Sequence, residues 1–126
     1  TLLHEGTLQK LITEDRIAGV TSNPTIFFKA ISESPHYRSE LQRLRADPAL
    51  SAEQRYEALA VADIQGACDL LAPLHKSTQG NDGYVSLEVS PALAHDAAAT
   101  VAAGLRLKAA VARDNLMIKV PATAAG

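Results

Sequence analysis

With one cysteine in 126 residues, the chain has no internal disulfide. Cys68 sits in a helical pattern, where it reads as a small core residue and points to a reducing compartment. Long hydrophobic runs are also missing. At 47% hydrophobic and 21% charged, the chain is long enough for one core and too polar for a membrane span. The net charge is -2 and no basic run is interleaved with aromatics, so nothing marks a nucleic-acid partner. Neither G-x-G-x-x-G nor G-x-x-x-x-G-K-[ST] follows an apolar run, and nucleotide binding by such loops has no support. His4, His36, His75 and His95 are dispersed on helical patterns, and no His, Cys, Asp or Glu set has ligand spacing, so neither a metal nor another cofactor is expected. The charged segment and apolar run of a signal peptide are absent from the N-terminus, and the expected location is cytoplasmic.

Against these absences stand three short strand patterns. The last, in Asn115 to Gly126, alternates Leu116, Ile118 and Val120 with Met117 and Lys119, which sends the aliphatic set to one face and the amine to the other. Pro121 ends that pattern, and Thr123 with the following alanines predicts a helix start. The first pattern is Ile17 to Thr21, followed at once by Ser22, Asn23 and Pro24; a polar residue before proline is a helix start, so Asn23 reads as a cap. The second, Tyr84 to Val89, turns Val85, Leu87 and Val89 toward helices and Ser86 and Glu88 the other way.

Helical spacing fills the intervals. Residues 1–16 carry Leu2, Leu3, Leu8, Leu11 and Ile12 on an amphipathic pattern. After Pro24, a helix is expected to pack Ile26, Phe27, Ala30 and Ile31 on one side. Ser34 to Ala46 turns Tyr37, Leu41 and Leu44 inward, with Arg38, Arg43 and Arg45 on a solvated face, and Asp47-Pro48 breaks the pattern. A long helix is expected from Ser51 to His75, a turn at Gly80 to Gly83, and an Ala-rich helix from Ser90-Pro91 to Arg113.

The order of elements is that of an α/β chain with crossovers long enough for parallel pairing. It fits a doubly wound sheet or part of a (β/α)8 TIM barrel, and the barrel is preferred. In a barrel, Thr21, Asn23, Glu88 and Lys119 converge at the C-terminal ends of the strands, where catalytic groups sit. An amine, a carboxylate and an amide donor form a candidate Schiff-base set. An amine that attacks a carbonyl must be neutral, which for lysine means a pKa lowered from ~10.4 to about 7 or 8 and needs roughly 4 kcal/mol. Glu88 would carry protons through a water, and Asn23 would hydrogen-bond a substrate hydroxyl. A structural Glu88–Lys119 ion pair explains the same spacing, and both readings stand at this point.

Gly19-Val20-Thr21-Ser22-Asn23-Pro24-Thr25-Ile26-Phe27 resembles the first signature of the transaldolase family. Asn115-Leu116-Met117-Ile118-Lys119-Val120-Pro121-Ala122-Thr123 resembles the segment holding the family's Schiff-base lysine, and GYVSLEVSP between them resembles its carboxylate strand. VTSNPTIF and IKVPAT are most similar to a bacterial branch that includes fusions with phosphoglucose isomerase. The resemblance implies a cofactor-free transferase of the pentose phosphate pathway that moves a dihydroxyacetone unit between sugar phosphates, with Lys119 and Glu88 catalytic and Asn23 and Thr21 binding substrate. It also implies an aspartate before Thr1 and further site residues, including a phosphate-binding arginine, after Gly126. A closed barrel takes about 200 residues or more. The chain is therefore expected to be one incomplete barrel domain over residues 1–126, poorly soluble and inactive alone. Two alternatives are a related fructose 6-phosphate aldolase, which resembles this chain less because it carries glutamine at the Glu88 position, and a noncatalytic structural piece.

Overall fold

The computed structural model describes residues 3–126. Three parallel strands, β1 (Gly19–Thr21), β2 (Tyr84–Glu88) and β3 (Leu116–Lys119), form one sheet in that order with β2 in the centre. Between β1 and β2 run α2 (Pro24–Glu33), a 3-10 turn (Pro35–Tyr37), α3 (Arg38–Arg45) and α4 (Ala52–Ser77). Between β2 and β3 lie a second 3-10 turn (Pro91–Leu93) and α5 (Ala97–Val111), and α1 (Thr7–Thr13) precedes the sheet. This is a mixed α/β arrangement whose sheet is parallel throughout.

The register aligns Thr21 with Ser86, Ser86 with Met117, and Glu88 with Lys119. Because side chains alternate along a strand, these residues share one face, and Val20, Val85, Leu87, Leu116 and Ile118 share the other. The aliphatic face packs with Ile64, Cys68 and Leu71 of α4 and Leu107 and Val111 of α5 in the main core. A second cluster, Ile31, Tyr37, Leu44 and Leu59, joins α2, α3 and the start of α4. Asn115, 3% exposed, donates from Nδ2 to the carbonyls of Cys68 and Gly83, both at 2.9 Å, and so fixes where β3 enters the sheet.

Several boundaries differ from the sequence reading. The first helix begins only at Thr7, because Gly6 adopts a left-handed conformation (φ 71°) and provides no side-chain cap; Leu2 lies outside the described residues. The first strand is confined to Gly19–Thr21, and α4 runs on to Ser77, two residues past His75. On α2 the packed stripe is Phe27, Ala30 and Ile31, at i, i+3 and i+4 spacing. Ile26, about 100° off Phe27, falls outside the stripe and is 70% exposed. The Ala-rich helix does not start at Ser90-Pro91: a 3-10 turn intervenes, Thr100 Oγ1 donates to Leu93 O at 2.9 Å, and Asp96 caps the true helix by accepting from Ala99 N at 2.9 Å. No helix begins at Thr123, whose hydroxyl donates to Ala94 O and accepts from Gly126 N instead. Two of the four histidines meet across the fold. His4 and His36 stack with centroids 5.1 Å apart, His4 meets the edge of Tyr37, and His75 packs on Tyr84 while its Nδ1 bonds Asp82 O.

Candidate active site

Lys119 and Glu88 end their strands as register partners on the face that the helices leave uncovered. Lys119 Nζ lies 2.8 Å from Glu88 Oε2, and the two side chains are 38% and 19% exposed. Nζ also donates to the carbonyl of Ser22 at 2.9 Å. The amine is thus held between an acidic side chain of β2 and the main chain just past β1. The direct contact with Glu88 is the geometry of the ion pair that the spacing allowed.

Ser22 is buried and its amide donates to Ser86 O at 2.9 Å, extending the ladder one residue beyond β1. Asn23 is the N-cap of α2: its side-chain oxygen accepts from Thr25 N at 2.9 Å and Ile26 N at 3.3 Å. That oxygen is committed to the helix, which leaves Nδ2 as the group Asn23 offers a ligand. Thr21 is exposed at the end of β1, one row behind Lys119, with its hydroxyl toward Ser22 O at 3.5 Å. Contacts therefore join Lys119 and Glu88, while Thr21 and Asn23 reach the pair only through Ser22 between them.

A cavity of about 770 Å³ opens behind this turn, between the sheet and the helices, and Ser22, Tyr56, Glu88 and Ser90 are among the residues that line it. Lys119, Thr21 and Asn23 do not, and Glu88 borders both this cavity and the uncovered side of the sheet where Lys119 lies. Tyr56 of α4 donates to Pro24 O at 3.4 Å. Burial, and then the negative charge of Glu88, push its hydroxyl above the ordinary tyrosine range. Sequence reasoning read Tyr56 only as a helix-face residue, and the Ser22 carbonyl, being main chain, has no sequence signal at all.

A parallel α/β chain with a lysine and a carboxylate in contact at the C-terminal ends of adjacent strands has the layout of a Schiff-base site. The chain belongs to the transaldolase/fructose-6-phosphate aldolase family, whose model matches residues 3–126. It is 54% identical over 125 residues to a transaldolase of Thiobacillus denitrificans, covering 99% of this chain and 34% of the relative. It is 50% identical over 126 residues to a transaldolase of Neisseria gonorrhoeae, covering 100% of this chain and 35% of the relative. A third relative, transaldolase 2 of Nostoc sp., is 41% identical over 126 residues, with 99% of this chain and 32% of the relative covered. The chain thus spans about a third of the length of the curated relatives it matches.

Proposed function

We propose that this chain supplies the Schiff-base lysine and its proton carrier to a transaldolase. The observation that carries the reading is the 2.8 Å contact between Lys119 Nζ and Glu88 Oε2 at the ends of β3 and β2. The amine, once it has given up its proton, attacks the ketone carbon of a ketose phosphate such as fructose 6-phosphate or sedoheptulose 7-phosphate, and the carbonyl oxygen takes up a proton. Loss of that oxygen as water leaves an iminium. Deprotonation of the hydroxyl on the far carbon of the breaking bond, the carbon that becomes the aldehyde, releases an aldose phosphate, and the bond's electrons pass to the iminium to give an enamine. Glu88, in direct reach of Nζ, suits the proton transfers. The enamine then adds to a second aldose phosphate, and water returns the lysine. Asn23 Nδ2 would hold a hydroxyl of the dihydroxyacetone unit, with Thr21 in support.

The proposal includes a (β/α)8 barrel in which β1, β2 and β3 are neighbouring strands, and the sequential order of the parallel sheet supports that closure. Residues 1–126 would be one part of that single domain, and the fully buried free thiol of Cys68 suits a cytoplasmic enzyme. The test is borohydride trapping with fructose 6-phosphate and peptide mass mapping. It is run on the chain alone and on a chimera in which the chain replaces the aligned third of the Thiobacillus denitrificans relative. An adduct on Lys119 in the chimera is expected; a folded chimera that traps nothing returns Lys119 and Glu88 to a structural ion pair.

A further inference from the structure

We infer that Tyr56 is a positioning residue for Lys119, acting through the main chain of the Ser22–Pro24 turn. The inference rests on reading Lys119 as the Schiff-base amine. A lysine ammonium has three N–H donors, and two of them are engaged here, by Glu88 Oε2 at 2.8 Å and Ser22 O at 2.9 Å. An iminium retains one N–H and can keep only one of these partners. A backbone carbonyl cannot take up a proton in the working range, whereas a carboxylate can. Keeping the Ser22 carbonyl on the iminium and releasing Glu88 divides the two tasks by chemistry: one acceptor orients the nitrogen, and the other moves protons.

That division needs the Ser22 carbonyl to stay in place while the covalent bonds change. On one side it is fixed by the Ser22 N–H bond to Ser86 O at 2.9 Å. On the other, the next two residues open α2, and Pro24 O accepts from the Tyr56 hydroxyl at 3.4 Å across 32 residues of sequence. The Tyr56 ring packs against the second apolar cluster, so its position does not depend on the hydroxyl. Ser22, Pro24, Tyr56 and Glu88 line the same cavity, which places the tether beside Glu88 and the turn whose carbonyl Lys119 contacts.

Tyr56→Phe keeps the ring and removes the tether. In the chimera, the trapping rate at saturating fructose 6-phosphate is expected to fall about tenfold, the scale set by one hydrogen bond, with KM within about twofold and the thermal midpoint nearly unchanged. The 15N resonance of Lys119 Nζ is expected to shift, a readout that does not depend on turnover. An ester in place of the Ser22–Asn23 peptide bond, which weakens the Ser22 carbonyl as an acceptor, is expected to give the same pattern even if the Tyr56 variant folds poorly. An unchanged trapping rate and an unchanged Nζ resonance in Tyr56→Phe overturn the inference. If the unsubstituted chimera folds but traps nothing, the proposed function fails, and the Nζ resonance of Tyr56→Phe still decides whether Tyr56 places Lys119.

Discussion

Glu88 Oε2 lies 2.8 Å from Lys119 Nζ, and under the proposed function that one side chain has two tasks: to neutralise an ammonium at rest and to accept protons during turnover. Glu88→Gln keeps the shape and one acceptor oxygen but loses both the charge and the basicity. If Glu88 moves protons, trapping in the chimera should slow by ~10²–10⁴-fold, the range for a positioned acid or base. A variant within about twofold of the parent would reduce Glu88 to a structural partner. The alternation that sends Lys119 and Glu88 to the face opposite the aliphatic residues was legible in the sequence, because a strand has only two faces. Their register was not, since it depends on how α5 returns the chain, and neither was the Ser22 carbonyl, an atom that every residue carries.

Cys68 gives a second test at the same scale. Its thiol is fully buried in α4, and burial, reinforced by the charge of Asp69, lifts it from 9.0 to about 11. The folded state therefore holds the thiol proton more tightly than the unfolded chain. Stability linked to Cys68 is intact below pH 9 and declines as pH rises from there toward about 11. Two units correspond to roughly 3 kcal/mol. Unfolding free energies from urea titrations of the parent and Cys68→Ala, compared from pH 8 to 11, should converge by about that amount as pH rises. Parallel curves would show that the thiol is not desolvated.

At the scale of elements, the caps decide where helices begin. Asn23 caps α2, and the proposed function gives it a second duty, holding a substrate hydroxyl, that substitution can separate from the first. Asn23→Ala removes the cap and should lower stability by ~1 kcal/mol, while Asn23→Ser keeps a capping oxygen and loses only the amide donor. In the chimera, Asn23→Ser should therefore hold its thermal midpoint yet raise KM for the ketose phosphate. A stable variant with unchanged KM would leave Asn23 a cap and nothing more. The Asn23-Pro24 start was legible because proline and a polar cap are local signals. The break after Leu93 was not, because alanine-rich spacing favours one continuous helix and the bond from Thr100 to Leu93 O that ends the 3-10 turn spans seven residues. At the start of α4, Ser51 and Gln54 form a reciprocal capping box, which explains why a helix containing Pro73 still begins sharply at Ala52.

For the whole molecule, the distribution of apolar surface is the guide. The helices cover one face of the sheet, and on the other face Met117, beside Ser86 and one row before the Lys119–Glu88 pair, is 46% exposed. β1 and β3 each pair with β2 alone, so among the described residues each has an outer edge without a strand partner. Such edges invite association, and Val101 and Leu105, at i and i+4 on α5 and 61% and 69% exposed, add an apolar stripe. The relatives are about three times as long as this chain, and the proposed barrel would use that added length to close around this face. Met117 reports on that closure directly, because a thioether in a packed barrel interior is shielded from peroxide and one on an open sheet face is not. Peptide mapping after peroxide treatment should find Met117 oxidised quickly in the chain alone and at least about tenfold more slowly in the chimera, where Lys119 becomes trappable. Equal oxidation rates in the two folded proteins would mean that the added strands do not close over this face, and the barrel would have to be abandoned as the setting for Lys119.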